Sequence, residues 1–475
     1  MDKFFGISER NSTVRAEIIG GLTTFFAMAY IVFVNPNQVA AEGASGWLAE
    51  LGADSAALGQ IWNAVYVASI LAAIIGTLFM ALYAKLPFAL ACGMGLNAFF
   101  CTCFVAGAFF AGEDVLTGYH SGMVIIFIAG VVFLILSMTG ARQYIAKSMP
   151  ECLKKSIPAG IGLFIAFIGF QDAGIIQANQ YTLVQFVDIH GGEWHEIAPA
   201  LTALIGLLVI AILGKYGVKA NIIIGIVIST VVYYVFMGQV PSLDVSHIGR
   251  SFRDFGEVGI TGLFQAEAWK AAFSSAHIGS VFNAIVLIVT FCLVDMFDTI
   301  GTLYGTSAQA GMLDENGDPI NVNKAMTSDS IATVAGAVLG TSTCTTFVES
   351  AAGVAAGART GLASVVTAIC FALCLFVTPL ASIIPSAATA PALVYVGVLM
   401  LKNFSQVDMD DLRSAVPAFL TLIMMPMTYS IANGIGIGAI AYVIITLFTK
   451  KYTKKDIMVT LIAALFAAKF VLVTM

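Results

Sequence analysis

Three carboxylic acids stand where the chain is otherwise apolar. Asp295 and Asp298 interrupt the run AIVLIVTFCLVDMFDTIGTLYG, and Glu349 follows the Thr-rich stretch GTSTCTTFV. At the centre of a membrane such an acid costs on the order of 3 kcal/mol by insertion scales, so it persists where it faces a polar cavity or a partner. Asp295 and Asp298, spaced i and i+3, share one helix face, with Thr302 one turn further along. No Lys or Arg stands in that segment to neutralise them. The plainer alternative is a helix-end pair reaching water, or acids paired with basic groups elsewhere in a bundle. Close, poorly solvated acids titrate as a coupled pair, which suits proton handling. Glu349 is expected in the first turn of a short helix, where free N–H groups and the helix dipole favour a carboxylate. Asn97, in GMGLNAFF, takes a comparable place earlier in the chain. Its amide offers both donor and acceptor, with helix capping as the alternative. Phe99 and Phe100 are candidates for a stacking face, or else for core packing. Gly353, Gly357 and Gly361 form two GxxxG steps after Glu349, and Gly301 and Gly305 form another. Such steps let helices approach closely and would hold the site helix in place.

The elements that must position these groups follow from composition. Of 475 residues 59% are apolar and 11% charged, and mean hydropathy is +0.93. That excludes a soluble globule and a disordered chain. A nucleic-acid binder fails too, because 22 basic and 28 acidic residues leave a net charge of −6. A polytopic membrane protein remains. Fourteen apolar runs occur, the first near 18–40 and the last near 434–449, and a helical crossing takes roughly 20 residues. A fifteenth run, 456–475, follows a basic stretch and reads either as an extra crossing or as a surface helix. Basic residues cluster in alternate short loops, which puts the N-terminus in the cytoplasm. Arg142, Lys147 and the Lys450, Lys451, Lys454 and Lys455 group carry much of that count.

Other chemistry is set aside. His190, Glu193, His195 and Glu196 match no metal-ligand spacing. The acidic stretch from Asp314 to Asp318 lacks a full calcium loop and reads as a solvated turn. Eight scattered cysteines without a Cys-x-x-Cys read as small core residues. No GxxxxGK[ST] and no nucleophile–base motif occur, so neither an ATP motor nor an enzyme is expected. Intramembrane acids without an ATPase point to transport driven by an ion gradient, with no cofactor.

Two stretches mirror each other. Pro87 to Cys92 leads into Gly93–Phe100, and Gly340–Phe347 leads into Val348–Gly353. Each is too short and too rich in Thr, Gly or Pro for a complete crossing, and each falls in the third of seven segments of its half. An odd number of segments per half inverts the second half, and paired interrupted segments point to a binding site. Backbone at mid-membrane must be hydrogen-bonded internally. Two short antiparallel strands, in segments 3 and 10, would satisfy it, and the half-helices after them would aim at one cavity.

At these residues the chain resembles a known family. STVRAEIIGGLTTFFAMAYIVFVNP (12–36), GMGLNAFF (93–100), VDMFDTIGTLYG (294–305), GTSTCTTFVESAAGVAAGARTG (340–361) and APALVYVGVLM (390–400) are similar to the AzgA-like purine permeases of the nucleobase:cation symporter-2, or nucleobase-ascorbate transporter, superfamily. The resemblance implies an all-α protein of about 14 transmembrane segments in a 7+7 inverted repeat. It implies a cytoplasmic N-terminus (1–17), a core domain (18–140 and 278–383), a gate domain (141–240 and 384–449), an extracellular loop (241–277) and a C-terminal basic stretch with an extra apolar segment (450–475). It further implies uptake of hypoxanthine or guanine, with adenine as a further substrate, by proton symport across the cytoplasmic membrane. Asn97, Asp295 and Glu349 would contact the base, and Asp298 would support transport. Expected partners are a purine base, protons, membrane lipid and a second copy of the chain, with no nucleic acid. Carriers of pyrimidines, xanthine, ascorbate or anions on the same fold are the alternatives.

Overall fold

A computed structural model describes residues 2–139, 148–179, 181–241, 246–315, 318–449, 452–453 and 456–472. Arg142, Lys147, Lys450, Lys451, Lys454 and Lys455, on which the orientation count leans, lie outside these residues, as do Asn316 and Gly317 of the acidic turn. Every apolar run forms helix. Among the described residues, eight helical stretches are long and apolar enough to cross a membrane, and five more are apolar but only 10–17 residues long.

The first run is two helices, Val14–Met28 and Ile31–Val39, with Thr13 capping the first through the Ala16 N–H. The second is Ser55–Phe79, capped by Asp54. The helix Val322–Leu339 packs against it. Helices Glu151–Asp172 and Ser386–Leu401 cross closely. A Cβ on Gly397 would stand 2.4 Å from the Gly162 carbonyl, so glycine at the crossing is what permits the approach.

At the centre lie two short strands, β1 (Leu90–Cys92) and, far along the chain, β4 (Cys344–Thr346). They pair antiparallel, with Leu90 opposite Thr346, Ala91 opposite Thr345 and Cys92 opposite Cys344. A two-stranded sheet leaves two outer edges, which the interior must satisfy. The Thr77 hydroxyl accepts the Leu90 N–H (3.0 Å) and stands 3.1 Å from the Leu90 carbonyl. The Thr333 hydroxyl does the same at Cys344, at 3.2 Å and 3.1 Å. One threonine from each of two matching helices therefore closes each edge. After the strands come the short helices Met94–Phe100 and Ser350–Ala355.

Two stretches between the long helices carry structure, one of them the expected loop 241–277. Residues 172–196 contain a hairpin of β2 (Ile176–Asn179) and β3 (Leu183–Phe186). Within 241–277 stand helices His247–Asp254, Thr261–Phe264 and Ala266–Ser274. The last helix, Ile457–Leu472, lies antiparallel along Ile431–Phe448. Three contacts fix its direction. Tyr442 donates to Asp456 (3.0 Å), Gly436 meets the Phe466 ring, and Lys469 donates to Asn433 (3.5 Å).

Candidate functional site

Strand β4, the two short helices and the long helix Val281–Ala310 border a cavity of about 430 Å³. One face of the long helix forms a wall: Asp298, Gly301, Thr302, Gly305 and Thr306, at the i, i+3, i+4, i+7, i+8 spacing of a helix face. The opposite side brings Thr345, Thr346, Phe347 and Glu349. These walls are polar. The wall supplied by Glu151–Asp172 and Ser386–Leu401 is apolar, through Ile161, Ile165, Val396 and Met400. Lys402 and Gln406 also line it.

Two of the singled-out acids share this cavity. Asp298 accepts a hydrogen bond from the Thr345 hydroxyl at 3.2 Å. Glu349 accepts one from the Tyr30 hydroxyl at 2.6 Å. Glu349 stands just before Ser350–Ala355 rather than inside its first turn.

Asp295 is placed differently. Three residues along a helix leave an offset of about 60°. That offset turns Asp295 to the strand side, where the Thr333 hydroxyl lies 3.0 Å from Oδ2. Asp295 is buried and does not line the cavity. Asn97 is buried too, behind the first turn of its helix, and accepts the Ser342 hydroxyl proton. Among the described residues its Nδ2 has no hydrogen-bond partner.

Phe99 and Phe100 do not form a cavity face. Only Gly93 to Leu96 of that stretch reach the cavity. Phe99 packs on Phe291 (centroids 5.2 Å) and Phe100 on Phe104 (5.0 Å), within the buried core. The aromatic ring at the cavity is Phe347.

The glycines also depart from expectation. A GxxxG step needs a continuous helix, and this one ends at Ala355. Gly353 alone lies in it, and a Cβ there would stand 2.1 Å from Thr24 Oγ1 and 2.5 Å from the Gly20 carbonyl. Gly357 makes the turn at φ +109°, a conformation that favours glycine. Gly361 opens the next helix against the Ala81 carbonyl, 2.0 Å from where a Cβ would lie. Gly301 and Gly305 pack against nothing; a Cβ at either meets no atom within 4 Å. They widen the cavity instead of joining helices.

Three residues with structural weight here were not singled out from sequence. Asp329 accepts the Thr299 hydroxyl at 2.8 Å, both fully buried. It interrupts an apolar run just as Asp295 does, so the same criterion finds it. Glu17, fully buried, accepts the N–H groups of Arg359 (2.9 Å) and Thr360 (3.2 Å). Tyr30 carries no such signal, since a tyrosine in an apolar run is ordinary.

The chain is similar in sequence and in fold to known proteins. Residues 15–437 match the model of the permease family Xan_ur_permease. A guanine/hypoxanthine permease of Bacillus subtilis is 42% identical over 445 residues, covering 93% of each chain. An adenine permease of Escherichia coli is 37% identical over 476 residues, covering 100% of this chain and 96% of its own. The transmembrane domain of a cyanobacterium bicarbonate transporter has the same fold at a TM-score of 0.61 and 15% identity, covering 88% of this chain and 97% of its own.

Proposed function

Because the chain belongs to the Xan_ur_permease family, integral-membrane permeases of the nucleobase:cation symporter-2 type and not enzymes, we propose that it takes up purine bases by proton symport. Hypoxanthine and guanine are the favoured substrates and adenine a further one. The carrying observation is that Asp298 and Glu349 line one cavity of about 430 Å³. That volume lies in the roughly 300–1,000 Å³ range of small-molecule sites. Purines are flat, neutral and rich in N–H donors, and a carboxylate accepts two roughly parallel N–H bonds. Glu349 takes the N–H edge of the base and Phe347 its face. Asp298 carries the coupling proton. Asn97 and Asp295 brace the short helix and strand β4 behind the wall.

Motion follows from the two kinds of wall. The cavity residues of the first set, 18–140 and 278–383, include the polar Asp298, Thr302, Thr345, Thr346 and Glu349, and those of the second, 141–240 and 384–449, are apolar except Lys402 and Gln406. A largely apolar face offers few hydrogen bonds that a sliding partner must break, so the first set moves against the second with its cargo. The matched roles of Thr77 and Thr333 support an inverted repeat of seven plus seven segments. The N-terminus lies in the cytoplasm and the protein in the cytoplasmic membrane. A cavity with two acids does not suit an anion, which favours a base over bicarbonate-like cargo despite the shared fold.

The test is competition of radiolabelled hypoxanthine uptake by unlabelled guanine, adenine, xanthine and uracil at two external pH values. Inhibition by guanine and faster uptake at the lower pH are expected. Inhibition by uracil equal to that by guanine overturns the purine reading. Uptake indifferent to external pH and to a protonophore overturns proton coupling.

A further inference from the structure

The first apolar run breaks at one place. Its helix ends at Met28, turns through Ala29 and Tyr30, and restarts at Ile31. No proline or glycine stands at the break. The Tyr30 carbonyl accepts the N–H groups of Phe33 and Val34, both at 3.0 Å, so the turn is satisfied by its own backbone. The Tyr30 ring is fully buried, and its hydroxyl gives its single proton to Glu349 Oε1 at 2.6 Å. The phenol therefore spends its only donor on a group that faces the cavity.

Donor and acceptor also ride on one frame. The helix Val14–Met28 and the short helix Ser350–Ala355 touch backbone to backbone at Gly20 and Gly353. Glu17, on the same first helix, holds the N–H groups of Arg359 and Thr360 just beyond. A carboxylate on a short helix at the cavity rim has free rotation about its side-chain bonds unless something fixes it. Tyr30 is tied to the same body as Glu349, so the bond survives any motion of that body against the rest.

We propose that Tyr30 is a positioning residue for recognition of the base. It anchors Oε1 and so aims the remaining lone pairs of the Glu349 carboxylate at the N–H edge of the substrate. A substrate offering an acceptor at that edge finds no proton there, because the Tyr30 proton is already engaged. This rests on the reading of Glu349 as the group that meets the base.

The test uses Tyr30→Phe, which removes one oxygen and keeps the ring. Uptake of radiolabelled hypoxanthine, with guanine as competitor, is measured per transporter in the membrane for Tyr30→Phe, Glu349→Asp, the double variant and Glu349→Gln. For Tyr30→Phe the KM for both purines rises roughly tenfold, the scale of one hydrogen bond to a charged group. Its Vmax stays within about twofold, since binding rather than turnover is lost. Glu349→Asp withdraws the carboxylate from Tyr30 by one methylene, so adding Tyr30→Phe to it changes nothing further. An unchanged KM in Tyr30→Phe overturns the proposal. So does a full repeat of its factor on the Glu349→Asp background. A Tyr30→Phe protein that fails to accumulate and melts early assigns the hydroxyl to folding and overturns it as well. Failure of Tyr30→Phe alone leaves Glu349 in the site. Unchanged purine affinity in Glu349→Gln removes Glu349 itself, and with it both readings.

Discussion

The Thr333 hydroxyl lies 3.0 Å from Asp295 Oδ2 and 3.1 Å from the Cys344 carbonyl, while it accepts the Cys344 N–H at 3.2 Å. A hydroxyl has one proton, so the acid and the strand edge share a single donor. Thr333→Val keeps the shape and deletes that donor and acceptor together. The buried Cys344 N–H, left unpaired, costs roughly 1–3 kcal/mol. The expected result is a clear fall in the melting temperature of the purified protein and a matching fall in uptake. Thr333→Ser, which keeps the hydroxyl, holds most of both. Equal melting of Thr333→Val and wild type would refute this sharing.

Gly301 and Gly305 give the opposite expectation. An added side chain at either meets no atom within 4 Å, so folding tolerates it, but both positions wall the cavity. Gly301→Val fills space the substrate needs. Uptake of hypoxanthine falls roughly five- to thirtyfold, as a one- to two-kcal/mol clash implies, while melting stays within about a degree of wild type. A variant that transports normally places the base elsewhere in the cavity or outside it.

These two cases show how far the sequence could be read. Periodicity placed Asp298 on a polar helix face, and the Thr-rich and Pro-containing stretches anticipated the pairing of β1 with β4. Both rest on short-range rules: a helix has one period, and mid-membrane backbone has few ways to be satisfied. What could not be read depends on orientation between elements. Asp295 and Asp298 are one turn apart in sequence, yet an offset of about 60° sends one to the strand and the other to the cavity. GxxxG at 301–305 has the pattern of a packing step, but a pattern does not say whether a helix or a void stands opposite. Phe99 and Phe100 look like stacking rings until the end of the cavity at Leu96 is known. Tyr30 had no signal of its own, because its partner is 319 residues away.

Gly353 tests the frame that carries Glu349. A Cβ there would come within 2.1 Å of Thr24 Oγ1 and 2.5 Å of the Gly20 carbonyl, and a backbone carbonyl cannot swing aside. Gly353→Ala therefore separates the first helix from the short helix. Overpacking of this kind costs about 1–3 kcal/mol. Membrane abundance drops, and the protein that remains shows a raised KM, because Tyr30 and Glu349 no longer keep their spacing. Thr24→Ala, which clears one of the two clashes, restores part of the abundance when combined with it. No loss in the single variant, read by immunoblot and melting, would show that the two helices have room to part.

Glu113 supplies a pH dependence outside the membrane-spanning segments. Burial pushes its carboxyl up, but hydrogen bonds from the His277 ring and the Ala276 N–H, and the attraction of His277, outweigh that and hold it below the usual carboxylate range. His277 also meets Ser121 at 2.9 Å, so this cluster fastens the chain before Val281–Ala310 to the start of Val115–Thr139. A depressed folded value means that the unfolded chain binds the proton more tightly. The resulting stability is present above the unfolded carboxyl value, about 4.3 for glutamate, and drains away as pH falls through the lower folded value. Glu113→Gln removes this dependence. The melting difference between wild type and Glu113→Gln should be present at about pH 5 to 6 and shrink below about pH 4. A difference that grows on acidification would mean that the carboxyl is protonated in the folded protein and that the clasp is made by a neutral acid.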